Sequence, residues 1–155
     1  MTQTYKIPIH PVTKKNSQQI VPCRGRYILL PSKKYKDFER AVTPFLTVIK
    51  QELGQICYPV NIKAVFYVAK RLKYDLTNLL EAIDDAMVNA GLLLDDNRDI
   101  IAGHDNSRVF YDKENPRIEL TISKMDDYEI WRAANDKRER KLRTQGNRHK
   151  IQIQR

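Results

Sequence analysis

The sequence predicts an α+β fold, with a single mixed β-sheet and helices packed on one face. Three observations predict it. Two long segments carry apolar residues at helical spacing. Several shorter segments alternate apolar and polar residues or are rich in β-branched and aromatic residues, as strands are. The two kinds of segment do not alternate regularly, and 155 residues suffice for one domain with its own core.

The predicted strands are separated by residues that favour turns and loops. They are residues 5–9, 27–30, 60–69, 98–111 and 117–123. Because Pro8 cannot donate a ladder hydrogen bond, we expect the first strand at an edge of the sheet. Residues 10–25 are polar and contain Pro11, Pro22 and Gly25, which predicts a long loop.

Three helices are predicted, two of them from apolar stripes. Ser32 is a suitable N-cap for the first helix, which runs to about Leu53 and which Pro44 should kink or divide. The second helix covers residues 76–90 and stops at Gly91. The third, from Asp126 to about residue 143, is laced with charges. The first two stripes are Tyr35, Phe38, Val42, Phe45, Leu46 and Ile49, and Leu76, Leu79, Leu80, Ile83 and Met87.

Several classes of protein are excluded by the sequence. No run of about 18 apolar residues exists to cross a membrane, and the first residues lack the pattern of a signal peptide. Cys23 and Cys57 form no Cys-x-x-Cys motif and have no histidine at zinc spacing. We therefore expect reduced thiols and a cytoplasmic location, with no membrane partner.

The positive charge lies mostly at the C-terminus. Of the net charge of +9, residues 132–155 carry +7 and the rest of the chain +2. A basic tail attracts phosphate chains regardless of sequence, which predicts contact with nucleic acid. The alternative is a solvated helix. We divide the chain into a domain of residues 1–124 and a charge-laced helix with a flexible tail, residues 125–155. Tyr128 and Trp131 either stack on a base or, as we favour, pack that helix.

Acidic residues bracket the second helix. Asp75 precedes it, and Asp95 and Asp96 follow it after a short link. Mg²⁺ takes oxygen ligands, often one or two carboxylates with water and substrate phosphate. Carboxylates within a basic protein therefore indicate an enzyme that cuts a polyanion with a hard metal ion.

Glu81 and Asp85 lie four residues apart, so they share a helix face and offer a third oxygen donor. The structural alternatives are simple. Asp75, Thr77 or Asn78 each suit a helix N-cap, and Asn78 with Glu81 has the spacing of a capping box. Asp95 and Asp96 also suit a turn.

Three segments in this region resemble the signature of the RusA family of Holliday-junction resolvases. They are DLTNL at 75–79, DAM at 85–87 and AGLLLDD at 90–96. Flanking segments at 14–16, 32–33 and 116–122 resemble other parts of the family pattern. The resemblance extends over roughly residues 4–124 and is most specific between Asp75 and Asp96.

The resemblance implies a RusA-like fold and a small Mg²⁺-dependent homodimer that cuts four-way DNA junctions in matched strands. Asp75 matches the family's first catalytic aspartate, Asp96 its last, and Asp95 the neighbouring member of the pair. Thr77 stands where a second catalytic aspartate is expected, and Glu81 where the prototype has a lysine important for cleavage. We expect Thr77 or Glu81 to complete the metal shell.

Basic residues near these acids are the predicted DNA contacts. They are Lys14, Lys15, Asn16, Lys70, Arg71, Lys73 and Arg108. The last four are also candidates for the role of the missing lysine. Two alternatives stay open. The departures at Thr77 and Glu81 allow a non-catalytic protein that binds branched DNA, and a nuclease of the same fold could act on forks or flaps.

Overall fold

The computed structural model describes residues 3–14, 19–30, 32–128, 132–134 and 136–137. The chain forms two compact units, residues 1–124 and residues 125–155. In the second unit, residues 128, 132–134 and 136–137 are helical, as predicted. Asp126 and Asp127, at the predicted start of this helix, form a turn instead. Trp131, the remaining residues of the predicted helix and the predicted flexible tail lie outside the described residues.

The first unit contains a five-stranded mixed sheet. Its strands are β1 (Thr4–Ile7), β4 (Val60–Val68), β5 (Ile101–Gly103), β6 (Arg108–Tyr111) and β7 (Arg117–Lys124). The order is β1-β7-β4-β5, and β6 also pairs with β4. Strand β4 is antiparallel to β7 and parallel to β5 and β6. The predicted α+β class with a mixed sheet is confirmed, and β1 lies at an edge as expected from Pro8.

Two helices, α1 (Lys33–Leu53) and α2 (Leu76–Asn89), pack on the sheet. Ser32 is the N-cap of α1, and its Oγ accepts a hydrogen bond of 3.1 Å from the Tyr35 N–H. Of the two outcomes expected at Pro44, a kink or a division, the division does not occur, because α1 continues through Pro44 as one helix. None of the described helices is long and apolar enough to cross a bilayer.

The core lies between the helices and one face of the sheet. Alternate residues of β4 are buried, as are Ile118 and Leu120 of β7. The two helical stripes close this core, with Phe45, Leu76 and Leu80 only partly buried at its margin. The period-2 and period-3.6 patterns therefore meet in a single apolar cluster, as the sequence predicts.

The prediction of a loop over residues 10–25 is wrong for the last part of this segment. Gln19–Cys23 forms β2, which pairs with β3 (Arg26–Leu30) as a separate two-stranded sheet. Arg24 and Gly25 have φ values of 47° and 76°, as a two-residue hairpin turn requires. Pro22 is compatible with such a ribbon, since half of the N–H groups in each strand point away from the partner.

The single strand predicted over residues 98–111 is also wrong, because it is broken into β5 and β6. Side chains replace ladder bonds to β4 at the break. The Ser107 Oγ accepts from the Ala64 N–H at 3.0 Å, and the Asp105 N–H donates to the Asn61 Oδ1 at 2.8 Å. Asn106 has a φ of 65°, which an extended strand does not accommodate.

Gly91 ends α2 and begins the link to the paired aspartates. Its φ is 69°, and a Cβ there would lie 2.8 Å from the Lys50 Nζ. We expect Gly91→Ala to lower the free energy of unfolding by about 1–2 kcal/mol, since left-handed backbone is strained for alanine. Gly91→Asn adds the same Cβ but tolerates this backbone better, so it should lose less. Urea denaturation measures both, and equal losses would contradict a backbone origin.

Candidate active site around helix α2

Asp75 is the N-cap of α2, directly after the loop that leaves β4. Its Oδ1 accepts hydrogen bonds from the backbone N–H groups of Thr77, at 2.9 Å, and Asn78, at 3.4 Å. Its Oδ2 accepts from the Asn78 Nδ2 at 3.1 Å. Of the structural alternatives, the Asp75 N-cap is therefore formed, and the capping box of Asn78 with Glu81 is not. The bonds orient an exposed carboxylate whose remaining lone pairs are available to a ligand.

Thr77 and Glu81 lie on the first two turns of α2. Thr77 is exposed, and Glu81 is half-buried. Burial is the main cause that raises the pKa of Tyr35, and the negative charges of Glu39, Asp85 and Glu81 raise it further. Glu81 and Asp85 therefore act on the same side chain, as expected for two carboxylates on one helix face.

Asp95 and Asp96 lie in the link between α2 and β5. Ile56 holds this link, since its backbone N–H and C=O bond to Leu92 and Leu94 at 2.8 Å and 3.0 Å. The Asp95 carboxylate accepts from the Asp96 N–H at 2.8 Å and from the Asn97 Nδ2 at 2.7 Å. These two bonds lower the pKa of Asp95.

Asp96 differs from its neighbour, because its pKa is raised. Partial burial is the first cause, followed by a hydrogen bond with Asp95 and by the negative charge of Asp85. Asp96 and Asp85 also raise the pKa of Asp84 through their charges. Asp84, Asp85 and Asp96 thus form an acidic cluster beside the middle of α2, in which each negative charge disfavours the others.

Asp84 is buried and contacts His104. The Asp84 Oδ2 lies 3.0 Å from the His104 Nε2, and the His104 Nδ1 lies 3.0 Å from the Ile62 carbonyl oxygen. Since a carbonyl oxygen only accepts, Nδ1 carries a proton. The Asp84 Oδ1 is buried and has no hydrogen-bond partner among the residues that the structure describes.

Sequence reasoning missed this pair. The available signal was Asp84 itself, a charged residue between Ile83 and Met87 of the buried stripe. Such a residue requires a partner, but its spacing does not indicate which one.

The predicted DNA contacts fall into different surroundings. The Lys14 Nζ forms an ion pair with the Asp85 Oδ2, and it lies 5.9 Å from the centre of the Tyr35 ring. Lys14 is therefore held against the acidic cluster. Lys15 and Asn16 lie outside the described residues.

The other predicted contacts are exposed. Lys70, Arg71 and Lys73 lie on the loop just before Asp75, which places positive charge beside this carboxylate. The Arg71 guanidinium lies 4.5 Å from the centre of the Tyr111 ring. Arg108 is the first residue of β6, in register with Val65 of β4.

The carboxylate oxygens of these acidic residues are suitable ligands for a hard cation. A bound positive charge also relieves the repulsion between the carboxylates. Within the described ranges, however, no three His, Cys, Asp or Glu side chains are arranged to hold a metal ion. The negative charges that raise the pKa of Asp96 are those of Asp85 and Asp95. Asp85 follows Asp75 by about 15 Å along an ideal helix axis. The meeting of Asp75 and Asp96 around one ion therefore stays a prediction.

Comparison with known proteins identifies the family. A search of curated proteins finds no match. Residues 8–123 match the family model described as "Endodeoxyribonuclease RusA", a span that contains both helices, Asp75 and the aspartate pair. Because this match covers most of the 155 residues, the chain belongs to the RusA family of endodeoxyribonucleases.

Proposed function

We propose that this protein is a Mg²⁺-dependent endodeoxyribonuclease that resolves four-way DNA junctions by paired phosphodiester hydrolysis. The family match over residues 8–123 is the observation that carries the proposal. Matched cuts in a two-fold junction need two equivalent sites, so the active form is a homodimer. The proposed setting is the cytoplasm of a bacterium, with a host or phage gene as its source.

Each acidic residue has a proposed role. Asp75, Asp95 and Asp96 hold Mg²⁺, and Glu81 or Thr77 completes the shell. When bound, the ion offsets phosphate charge and lowers the pKa of the attacking water. The fixed N-cap geometry of Asp75 supports its role, since an oriented carboxylate loses little freedom on binding a ligand.

The basic residues bind the DNA backbone. Lys70, Arg71, Lys73 and Arg108 contact phosphates near the scissile bond, and Lys14, Lys15 and Asn16 add contacts from the N-terminal side. Residues 1–124 form the nuclease domain. The tail, residues 125–155, adds attraction that weakens with salt, since most of the net positive charge lies there.

One assay tests the proposal against its alternatives. The protein is incubated with a four-way junction, a fork, a flap and linear duplex, with and without Mg²⁺. Paired nicks near the crossover, present only with Mg²⁺, are the expected result. Equal cutting of linear duplex, or cutting that persists in EDTA, would contradict it.

A non-catalytic protein that binds branched DNA is the second candidate. Two observations favour it, namely Thr77 in place of an expected aspartate and the lack of a three-ligand group among the residues with described positions. Tight junction binding without nicks would support this candidate. A preference for cutting forks or flaps would instead support a nuclease with a different branched substrate.

The role of Glu81 has its own test. If Glu81 supplies the missing carboxylate, Glu81→Ala should lower Mg²⁺-dependent junction cutting by about 10²-fold or more, as loss of one charge-stabilising group does. Thr77→Asp in the same variant should restore part of the rate. Glu114→Ala, which removes an exposed carboxylate from the turn before β7, is the control. Unchanged cutting by Glu81→Ala would remove Glu81 from the site.

A further inference from the structure

A cleft of about 260 Å³ opens beside the loop that leads to Asp75. One wall is residues 70–72 and 74 of this loop, and the other is residues 109–111 of β6, with Val68 at the end of β4. The volume is below the roughly 300–1,000 Å³ of pockets for drug-sized ligands, so it suits a single flat ring system.

The walls of the cleft include large apolar side chains that are exposed and not buried in the core. Leu72 is 65% exposed, Phe110 47% and Tyr111 43%. Single exposed apolar residues are ordinary, but three around one cleft mark a contact surface. Tyr111 presents an aromatic ring on which a planar group can stack, whereas the Phe110 ring lies on the other face of β6, against Tyr67.

The charge of the cleft is positive. Lys70 and Arg71 line it and Lys73 lies beside it, and none of the three forms an ion pair with a described carboxylate. Arg71 already lies over the Tyr111 ring at 4.5 Å. A ligand matched to these walls has a flat, largely apolar ring and a negative group attached to it.

Strand β6, which carries Tyr111, is supported by contacts on the other face of the sheet. The Phe110 ring lies 5.7 Å from the Tyr67 ring, and the Arg117 guanidinium lies 3.5 Å from the Tyr67 ring centre. Arg117 is itself fixed by bonds to Asp112 and Glu119 at 2.8 Å and 2.9 Å. A wall held in this way loses little conformational entropy when a ligand stacks on it.

We infer that the cleft takes one unstacked nucleobase of a DNA strand, with the adjoining phosphate on Lys70 and Arg71. Phosphate contacts alone need only positive charge, whereas exposed rings beside that charge are typical of binding to unpaired bases. Because Tyr74 lines the cleft, a base held there brings its strand to Asp75. The inference rests on the proposed function for branched DNA as the source of the base, but base capture needs neither metal nor cutting.

The test compares two labelled probes of equal charge in EDTA by fluorescence anisotropy. One is an eight-residue oligo(dT), and the other is an abasic phosphodiester chain of the same length. One stacked base contributes about 1–3 kcal/mol, so the full-length protein should bind oligo(dT) about fivefold tighter or more. Tyr111→Ala should reduce this ratio and leave abasic binding unchanged, and Phe110→Ala, whose ring lies on the other face of β6, should reduce it less. Tyr27→Ala, which removes a tyrosine that is 81% exposed on the β2–β3 hairpin, should leave the ratio unchanged.

The inference is overturned if the wild-type protein does not distinguish the probes, or if Tyr111→Ala keeps the full preference. It is also overturned if Tyr111→Ala converts a dimer to a monomer in sedimentation, since a second copy would then occupy the cleft. Junction cutting is measured separately. A preference for oligo(dT) without nicking of the junction would contradict only the nuclease proposal. Nicking of the junction without this preference would contradict only the present inference.

Discussion

Asp96→Asn is expected to abolish Mg²⁺-dependent cutting of a four-way junction while binding stays equal or becomes tighter. The substitution removes a charged oxygen donor and keeps the size of the side chain. It also removes one of the mutually repelling charges beside α2, and this loss favours contact with anionic DNA. Loss of one charge-stabilising group costs about 10²–10³-fold in rate, and loss of a metal ligand should cost at least that much.

Asp75→Asn should give the same result from the other end of α2. Asparagine is as good an N-cap as aspartate, so the helix should keep its start and the change should act on chemistry alone. Cleavage is measured by denaturing gel and binding by gel shift in Ca²⁺ or EDTA. Asp99→Asn, an exposed aspartate three residues after Asp96, is the control. Wild-type cutting by either Asp96→Asn or Asp75→Asn would sink the proposed metal site.

His104→Leu is expected to lower the free energy of unfolding by about 3–5 kcal/mol, as removal of one partner of a buried ion pair does. The substitution removes the partner of the Asp84 Oδ2, and the Asp84 Oδ1 already has no hydrogen-bond partner among the described residues. The double variant Asp84→Leu with His104→Leu removes the charge as well, so it should recover most of the loss. Urea denaturation gives all three values. A double variant no more stable than His104→Leu would contradict this account.

The pair of Asp84 and His104 should also make the free energy of unfolding depend on pH. Burial lowers the pKa of His104, but the hydrogen bond and charge of Asp84 outweigh it, so the net pKa is raised. Burial raises the pKa of Asp84. A raised pKa means that the folded state holds the proton more tightly than the unfolded state does. For His104 this stability is fully present below the unfolded value of about 6.5 and is lost as the pH rises through the folded pKa.

The two groups act in the same direction, because the raised pKa of Asp84 also favours folding only at lower pH. The wild-type protein should therefore lose stability relative to the double variant as the pH rises above the unfolded pKa of His104, about 6.5. Urea denaturation of both proteins at several pH values measures the difference. A difference that moves in favour of the wild type as the pH rises would contradict the assignment.

Local signals were sufficient to predict most of the fold. Ser32 marks the start of α1, because its side chain accepts a hydrogen bond from the N–H three residues later. Gly91 marks the end of α2, because its backbone is left-handed. The alternation of residues 117–123 located β7 to within one residue. The two errors have a common cause. Pairing with another strand made β2 from a proline-containing segment, and side-chain bonds to β4 interrupted residues 98–111.

The sequence by itself determined the α+β class, the acids at both ends of α2, the family signature and the position of the basic tail. These depend on residue type and on spacings of a few residues, which a linear pattern records. Only the tertiary structure joined Lys14 to Asp85, Asp84 to His104, and the residue 70–74 loop to β6 in a cleft. These contacts join residues 20 to 71 positions apart, and the order and register of strands around β4 decide which of them meet.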